Sequence, residues 1–231
     1  MITEPLQAFL LHRTAHGESS LRVLFFTREE GLVHAFYKGA RTAKKKALLQ
    51  TFSPLWLVLS GPSHHYFVRG MEWASSSIPL AGSALIAGLY LNELLYHTLQ
   101  SGESQPFLYD AYVKALDGLV AASDRYQLEA VLRRFEWSLL RVSGYAMSLV
   151  TDAVTNQPII PTTYYQFQST DGFRAADAGI LGAHILAFSR DELIDPCVLK
   201  SVKFIMRRAI HTLLDGKPLK TRSFYLSETC T

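Results

Sequence analysis

The chain has 231 residues, 48% hydrophobic and 19% charged, with a net charge of +3, a composition that describes a folded globular protein and excludes a disordered one. Its charge is unevenly placed, +4 over residues 1–60, −6 over 61–199 and +5 over 200–231, as expected where both ends of a chain meet phosphates. The two cysteines, Cys197 and Cys230, lie far apart with no CxxC neighbour, which argues against a disulfide framework and for a cytosolic protein.

Glu4 and Pro5 interrupt the start of the chain, so no signal peptide is expected. Residues 6–13 and 20–27 are apolar runs rich in Leu, Val and Phe. Arg28-Glu29-Glu30-Gly31 then separates the second run from residues 32–37, and a short polar turn ending in Gly predicts a hairpin. Residues 55–59 supply a fourth strand, stopped by Ser60-Gly61-Pro62-Ser63, and residues 66–71 a fifth. Five short strands with a long connection after the third match a barrel of the OB type, as they also match a sandwich fragment or an SH3-like barrel. The uncharged stretch from Trp73 to Asn92 is about long enough to span a bilayer. Ser75, Ser76, Ser77, Pro79, Gly82, Ser83 and Gly88 dilute it, so a buried helix and no membrane association are expected.

From about Pro79 the period changes from two to three and four. Leu85, Leu89, Asn92, Leu95 and Leu99 fall on one helical stripe. A second helix is predicted over 105–122, with Leu108, Tyr112, Ala115 and Leu119 inward. A third, capped by Ser123 or Asp124, buries Leu128, Leu132, Phe135, Leu139 and Val142 and ends at Gly144. Residues 146–187 are irregular, with a small hairpin around Ser169-Thr170-Asp171. Ser189-Arg190-Asp191-Glu192 has capping-box spacing and predicts a last helix through Leu214, stopped by Asp215-Gly216-Lys217-Pro218.

Nothing in the chain is spaced for catalysis. His64-His65, the one histidine pair, has no Cys, Asp or Glu at ligand spacing and is assigned to a loop end rather than a metal. GxSxG, P-loop and GxGxxG patterns are absent. Carboxylates such as Asp110 and Asp117 are spaced as on solvated helix faces. Neither an enzyme nor a cofactor is expected.

The basic features are more specific. Lys38, Arg41, Lys44, Lys45 and Lys46 place five cations and no acid in nine residues, on a predicted loop after the third strand. Gly39 and Ala40 let the backbone turn there and approach a partner closely. Phe36, Tyr37, Phe52 and Trp56 flank the run, and interleaved cations and aromatics suit the backbone and bases of a single-stranded nucleic acid. Phe52 and Trp56 are expected in the core, Tyr37 is open between the two roles, and a solvated basic loop is the competing assignment for the run itself. A second basic surface is expected from Lys200, Lys203, Arg207 and Arg208 on the last helix, followed by Lys217, Lys220 and Arg222. On the third helix, Arg133, Trp137 and Arg141 fall away from the inward stripe, with Arg134 beside them. They form either an exposed basic face with its Trp covered, or a pocket with a cationic rim for an acidic peptide ending in a free carboxylate.

A set of landmarks in register along nearly the whole chain resembles the RecO family of bacterial DNA repair proteins. They include Gln7-Ala8-Phe9, Phe26-Thr27-Arg28-Glu29-Glu30-Gly31, Lys38-Gly39-Ala40-Arg41, Leu49-Gln50-Thr51-Phe52-Ser53-Pro54-Leu55, Leu132-Arg133-Arg134-Phe135-Glu136, Ser143-Gly144-Tyr145 and Gly216-Lys217-Pro218-Leu219-Lys220-Thr221-Arg222. The resemblance implies a non-catalytic recombination mediator that binds single- and double-stranded DNA and anneals complementary strands. Its implied partners are RecR and the C-terminal tail of single-stranded DNA-binding protein, and through them RecA. In many relatives four cysteines after the Gly144-Tyr145 position hold zinc, whereas Ser148 through Pro161 contains no cysteine here, so packing is expected to hold that segment. The combined expectation is an α+β protein: an OB-fold barrel over residues 1–76, then a mostly helical domain over 77–231 with an irregular insertion at about 146–187. An RNA-binding OB protein and a non-catalytic adaptor are the alternatives, and a nuclease would need a carboxylate or His cluster.

Overall fold

The computed structural model describes residues 4–62 and 65–221. Five strands, β1 (Leu6–His16), β2 (Ser20–Thr27), β3 (Gly31–Tyr37), β4 (Leu55–Ser60) and β5 (Tyr66–Trp73), close into a barrel in the order β1-β2-β3-β5-β4. All pairs are antiparallel except β3 with β5, and β4 returns to β1. This is an OB fold. Alternate residues point inward, as the period of two requires: Val23, Phe25, Val33, Ala35, Leu55, Leu57 and Leu59 fill the barrel. That alternation leaves Trp56 half-buried on the outside, whereas Phe52 and Tyr37 are buried.

The basic connection after β3 is not an open loop. Ala43–Leu48 forms a short helix, α1, that carries Lys44, Lys45 and Lys46.

Two further helices, α2 (Gly82–Thr98) and α3 (Pro106–Ala121), pack on the barrel. The chain through Val120 and again from Leu219 makes one compact unit, and Ala121–Pro218 makes another. The stripe expected on α2 holds at Asn92 and Leu95, which are buried, and is displaced in its first half. Leu85 and Leu89 are exposed, and the buried side carries Ala87, Gly88, Leu91, Leu94 and Leu95. Because α2 is apolar on nearly every side, spacing alone allows several stripes, and contact with Phe52 and Leu80 selects this one. A Cβ at Gly88 would lie 2.9 Å from Phe52 Cζ and 2.6 Å from Leu80 Cδ1. On α3 the expected inward residues Leu108, Tyr112, Ala115 and Leu119 are all buried.

In the second unit, Asp124 caps α4 (Arg125–Val142) by accepting from the Tyr126 and Gln127 N–H groups at 2.8 and 2.9 Å. The hairpin expected around 169–171 forms as β6 (Tyr164–Gln168) and β7 (Gly172–Ala176), with β8 (Ile180–Leu181) completing the sheet β7-β6-β8. The capping-box reading is corrected. Ser189 ends a helix, α5 (Gly182–Ser189), and the helix expected to follow it, α6 (Pro196–Leu213), begins six residues past the expected start at Arg190. Ser189 Oγ donates back to the Leu186 carbonyl and Glu192 takes Arg190, so neither makes the reciprocal bonds of a box. Asp195 followed by Pro196 provides the cap and first residue instead. The α4 and α6 helices pack around Leu132, Phe135, Leu139, Val202, Ile205 and Met206.

The cysteine-free segment is organised by a carboxylate as well as by packing. Asp152 accepts three backbone N–H bonds at 2.8 Å, from Val154, Thr155 and Ala175. The bonds from Thr155 and Ala175 chiefly hold its pKa down at about 2, against the opposing effect of burial. Leu149, Ile159, Tyr165, Phe167 and Phe173 bury the apolar side.

Candidate nucleic-acid interface

The pleat sets the outward residues of the barrel in rows across its strands. The row Phe9–Phe26–Leu32 is covered, with Phe9 and Phe26 packing on Tyr109 and Tyr112 at ring distances of 5.2–5.9 Å. Tyr112 donates to Asn92 Oδ1 at 2.6 Å. The turn before β3 is pinned to α3 by Arg28, whose guanidinium grips both oxygens of Asp110 at 3.0 and 3.1 Å and holds that carboxyl below its usual range. Further along the barrel, the row Thr14–Arg22–Phe36–Phe67–Ser60 is open. Phe36 and Phe67 are half-buried, with ring centroids 6.0 Å apart, and His16 lies 4.9 Å from Phe36. His12, Arg22 and Arg69 are exposed on the same strands, and His34 is half-buried.

The basic run joins this row. Lys38 Nζ sits 4.9 Å over the Phe67 ring. Lys45 Nζ sits 4.8 Å over Tyr37 and donates to the Lys38 carbonyl at 2.8 Å, while Arg41 donates to the Gly17 carbonyl at 2.8 Å. Lys44 and Lys46 are exposed. Cations and half-covered rings thus share one surface, which suits a flexible strand with both phosphates and bases to offer. His12, His16, Arg22, His34, Phe67 and Arg69 were not among the sequence-predicted residues. Their signal is positional, since Arg22, His34 and Phe36 alternate with core residues along β2 and β3.

The second basic surface is divided. Arg207 and Arg208 are exposed on α6 with Lys200, and Arg208 stacks on Phe204 at 5.6 Å. Lys203 is engaged by Glu129 at 2.6 Å. Lys217 belongs to the second compact unit and Lys220 to the first; Arg222 lies outside the described residues. The segment at Lys220 is held by Glu93, which accepts from the Lys220 N–H, the Thr221 N–H and the Thr221 hydroxyl at 2.7, 2.9 and 2.5 Å. Burial would raise the Glu93 pKa, but these bonds outweigh it and the carboxyl lies below its usual range.

On α4 the expected rim is corrected at one position. Arg133 is buried and paired with Glu136 at 2.8 Å; it adjoins Trp137 at i, i+4, but it lies at the inward edge of that face, where Glu136 and Leu140 are also buried. Arg134, Trp137 and Arg141 do share a face, at the i, i+3, i+7 spacing of one side of a helix. Trp137 packs on Phe188 at 5.4 Å, and Arg134 is bound by Asp191 at 2.7 and 3.0 Å.

Among the described residues no group of three His, Cys, Asp or Glu side chains could hold a metal ion; His64 lies outside them. Zinc does not fit the segment from Ser148 through Pro161, since no thiol is present there and the Asp152 oxygens are occupied by N–H donors. No helix among the described residues is long and apolar enough to cross a membrane.

Residues 1–77 match the family model described as Recombination protein O N terminal, and residues 80–215 the model described as Recombination protein O C terminal. Similar proteins include the DNA repair protein RecO of Legionella pneumophila, 45% identical over 97% of this chain and 99% of that one. The RecO of Proteus mirabilis is 36% identical over 95% of this chain and 91% of its own length. That of Actinobacillus pleuropneumoniae is 35% identical over 98% and 96%.

Proposed function

The chain belongs to the RecO family of DNA repair proteins, and on that premise we propose that it is a non-catalytic recombination mediator. It binds single- and double-stranded DNA, anneals complementary strands and, with RecR, helps load RecA onto single strands coated by single-stranded DNA-binding protein. The observation that carries the reading is the open barrel row, where Lys38 stacks on Phe67 beside Phe36 and Arg22. Phosphates are neutralised by Lys38, Arg41, Lys44, Lys45 and Lys46, with further phosphate contacts from Arg207 and Lys217 in the second unit and, separately, from Lys220 and Arg222. Lowering the repulsion between two strands lets base complementarity drive pairing, and no bond chemistry is needed. Recruitment to coated strands falls to Arg134, Trp137 and Arg141, which offer forked donors and an apolar ring to an acidic peptide with a free carboxylate. Asp191 beside Arg134 must be displaced for the carboxylate to bind there.

The test is annealing of complementary strands coated with their binding protein, with RNA of the same sequence as a control. Wild type accelerates annealing of DNA. Replacing Lys44, Lys45 and Lys46 with Ala weakens binding to all DNA sequences and flattens the log–log salt dependence by roughly 0.7 per lost contact on single strands. An unchanged slope would return the run to a solvated basic segment. Stronger annealing or binding of RNA would favour the RNA-binding alternative.

A further inference from the structure

The open row of the barrel leads into a cavity of about 460 Å³, within the range that holds a small organic ligand. Arg22 of β2 and His34 of β3 form one wall and Tyr66 of β5 another. Ser101 and Gly102, from the connection between α2 and α3, form another side of this partly open cleft. That connection is fixed on the barrel. Gly102 N–H donates to the Leu32 carbonyl at 3.2 Å, and Ser101 bridges to Gly31 and Leu32. Gly31, at φ +64°, lies so close beneath the connection that any Cβ would collide with the Glu103 carbonyl. The cavity is therefore built by tertiary packing and does not depend on a loop closing.

Its position matters as much as its size. Arg22 is the cross-strand neighbour of Phe36, so a strand lying over Phe36 and Phe67 passes Arg22 at the entrance, while Tyr66, paired with Ala35 and packed against the barrel core, forms the inner wall. We infer that the cavity takes one nucleotide of the bound single strand, turned out of the stack, with its phosphate on Arg22 and its base between Tyr66 and the Ser101–Gly102 connection. Glu30 on the lining repels phosphate and can accept from a base amino group, which orients the nucleotide base-inward. His34 is kept from charging by burial and by Arg22, so it presents a neutral imidazole to the base edge. This inference rests on the reading of the barrel as a single-strand binder.

The test compares a deoxycytidine oligomer with an abasic oligomer of the same length and charge. Ser101→Phe, which fills the cavity from its rim, and Tyr66→Ala, which removes a wall, are each expected to weaken binding of the deoxycytidine oligomer about ten-fold, within the range of one lost stacked base. Neither should alter binding of the abasic oligomer, and thermal melting checks that each variant is folded. Wild-type affinity for the deoxycytidine oligomer in a folded variant overturns the inference while leaving single-strand binding intact. Equal losses on both oligomers overturn it too, because the cavity would then act through charge or fold. If wild-type protein binds neither oligomer, the functional reading fails with it.

Discussion

Replacing Asp152 with Ala should destabilise the second unit in a way that depends on pH. One carboxylate oxygen accepts from the Val154 and Thr155 N–H groups and closes a turn, while the other accepts from Ala175 on β7, 23 residues on. Asp152 is 4% exposed, so water replaces none of these bonds cheaply. Its pKa of about 2, against an ordinary 3.8, corresponds to about 2 kcal/mol of stability. Because the folded pKa is depressed, this contribution is fully present above about pH 4, falls as pH drops toward 2, and is down to a few tenths of a kcal/mol at pH 2. Guanidinium unfolding measures it, with Trp137 as reporter after Trp56 and Trp73 are replaced by Phe. Asp152→Ala should lose about 2–3 kcal/mol at pH 7, and its gap to wild type should narrow by about 2 kcal/mol at pH 2. Asp152→Asn should recover only part, since an amide can keep the turn but sets a donor against the Ala175 N–H. A gap that is absent at pH 7, or constant with pH, would refute the assignment of this carboxylate as the organiser of the segment.

Gly88→Ala gains up to about 1 kcal/mol in helix propensity but places a methyl against the buried Phe52 ring. Overpacking of about 1–3 kcal/mol should win, and thermal melting should show a fall of a few degrees. Arg133→Ala removes the cationic partner of buried Glu136 and should cost about 3 kcal/mol or more by denaturant unfolding. Arg134→Ala breaks only an exposed pair and should leave stability within about 1 kcal/mol, while weakening binding of the acidic tail peptide about ten-fold in a titration. Glu93→Gln should speed hydrogen exchange at the Lys220 and Thr221 amides. In wild type the same protection should be strongest above the usual Glu pKa and fade as pH falls below it, because the Glu93 pKa is lowered.

The alternation of apolar residues and the Gly-terminated turn at 28–31 were enough to read five strands, since a period of two can bury only one side of a strand. The three helices from Gly82 to Val142 followed from their spacing, and the basic run at 38–46 followed from composition. The barrel's closure was a choice among OB, SH3-like and sandwich arrangements until the pairing of β3 with β5 and of β4 with β1 decided it. Those pairings join residues far apart in the chain, so no local pattern records them. The same reason explains the shift of the α2 stripe in its first half, which is selected by Phe52 and Leu80, whereas the late start of α6 is local, since Asp195-Pro196 is a stronger cap and first-turn signal than Ser189. Long-range packing explains Arg133 as well: helical spacing gives relative angles, but which side of α4 is inward depends on the helix packed against it. The sequence by itself determined the five barrel strands, the helices α2, α3 and α4, the charge and the absence of thiols from the segment around Asp152, but not the short helices α1 and α5. Only the tertiary structure decided which cations and rings share a surface, because that is set by contacts between distant strands and by the connection from α2 to α3 that walls the cavity at Arg22 and Tyr66.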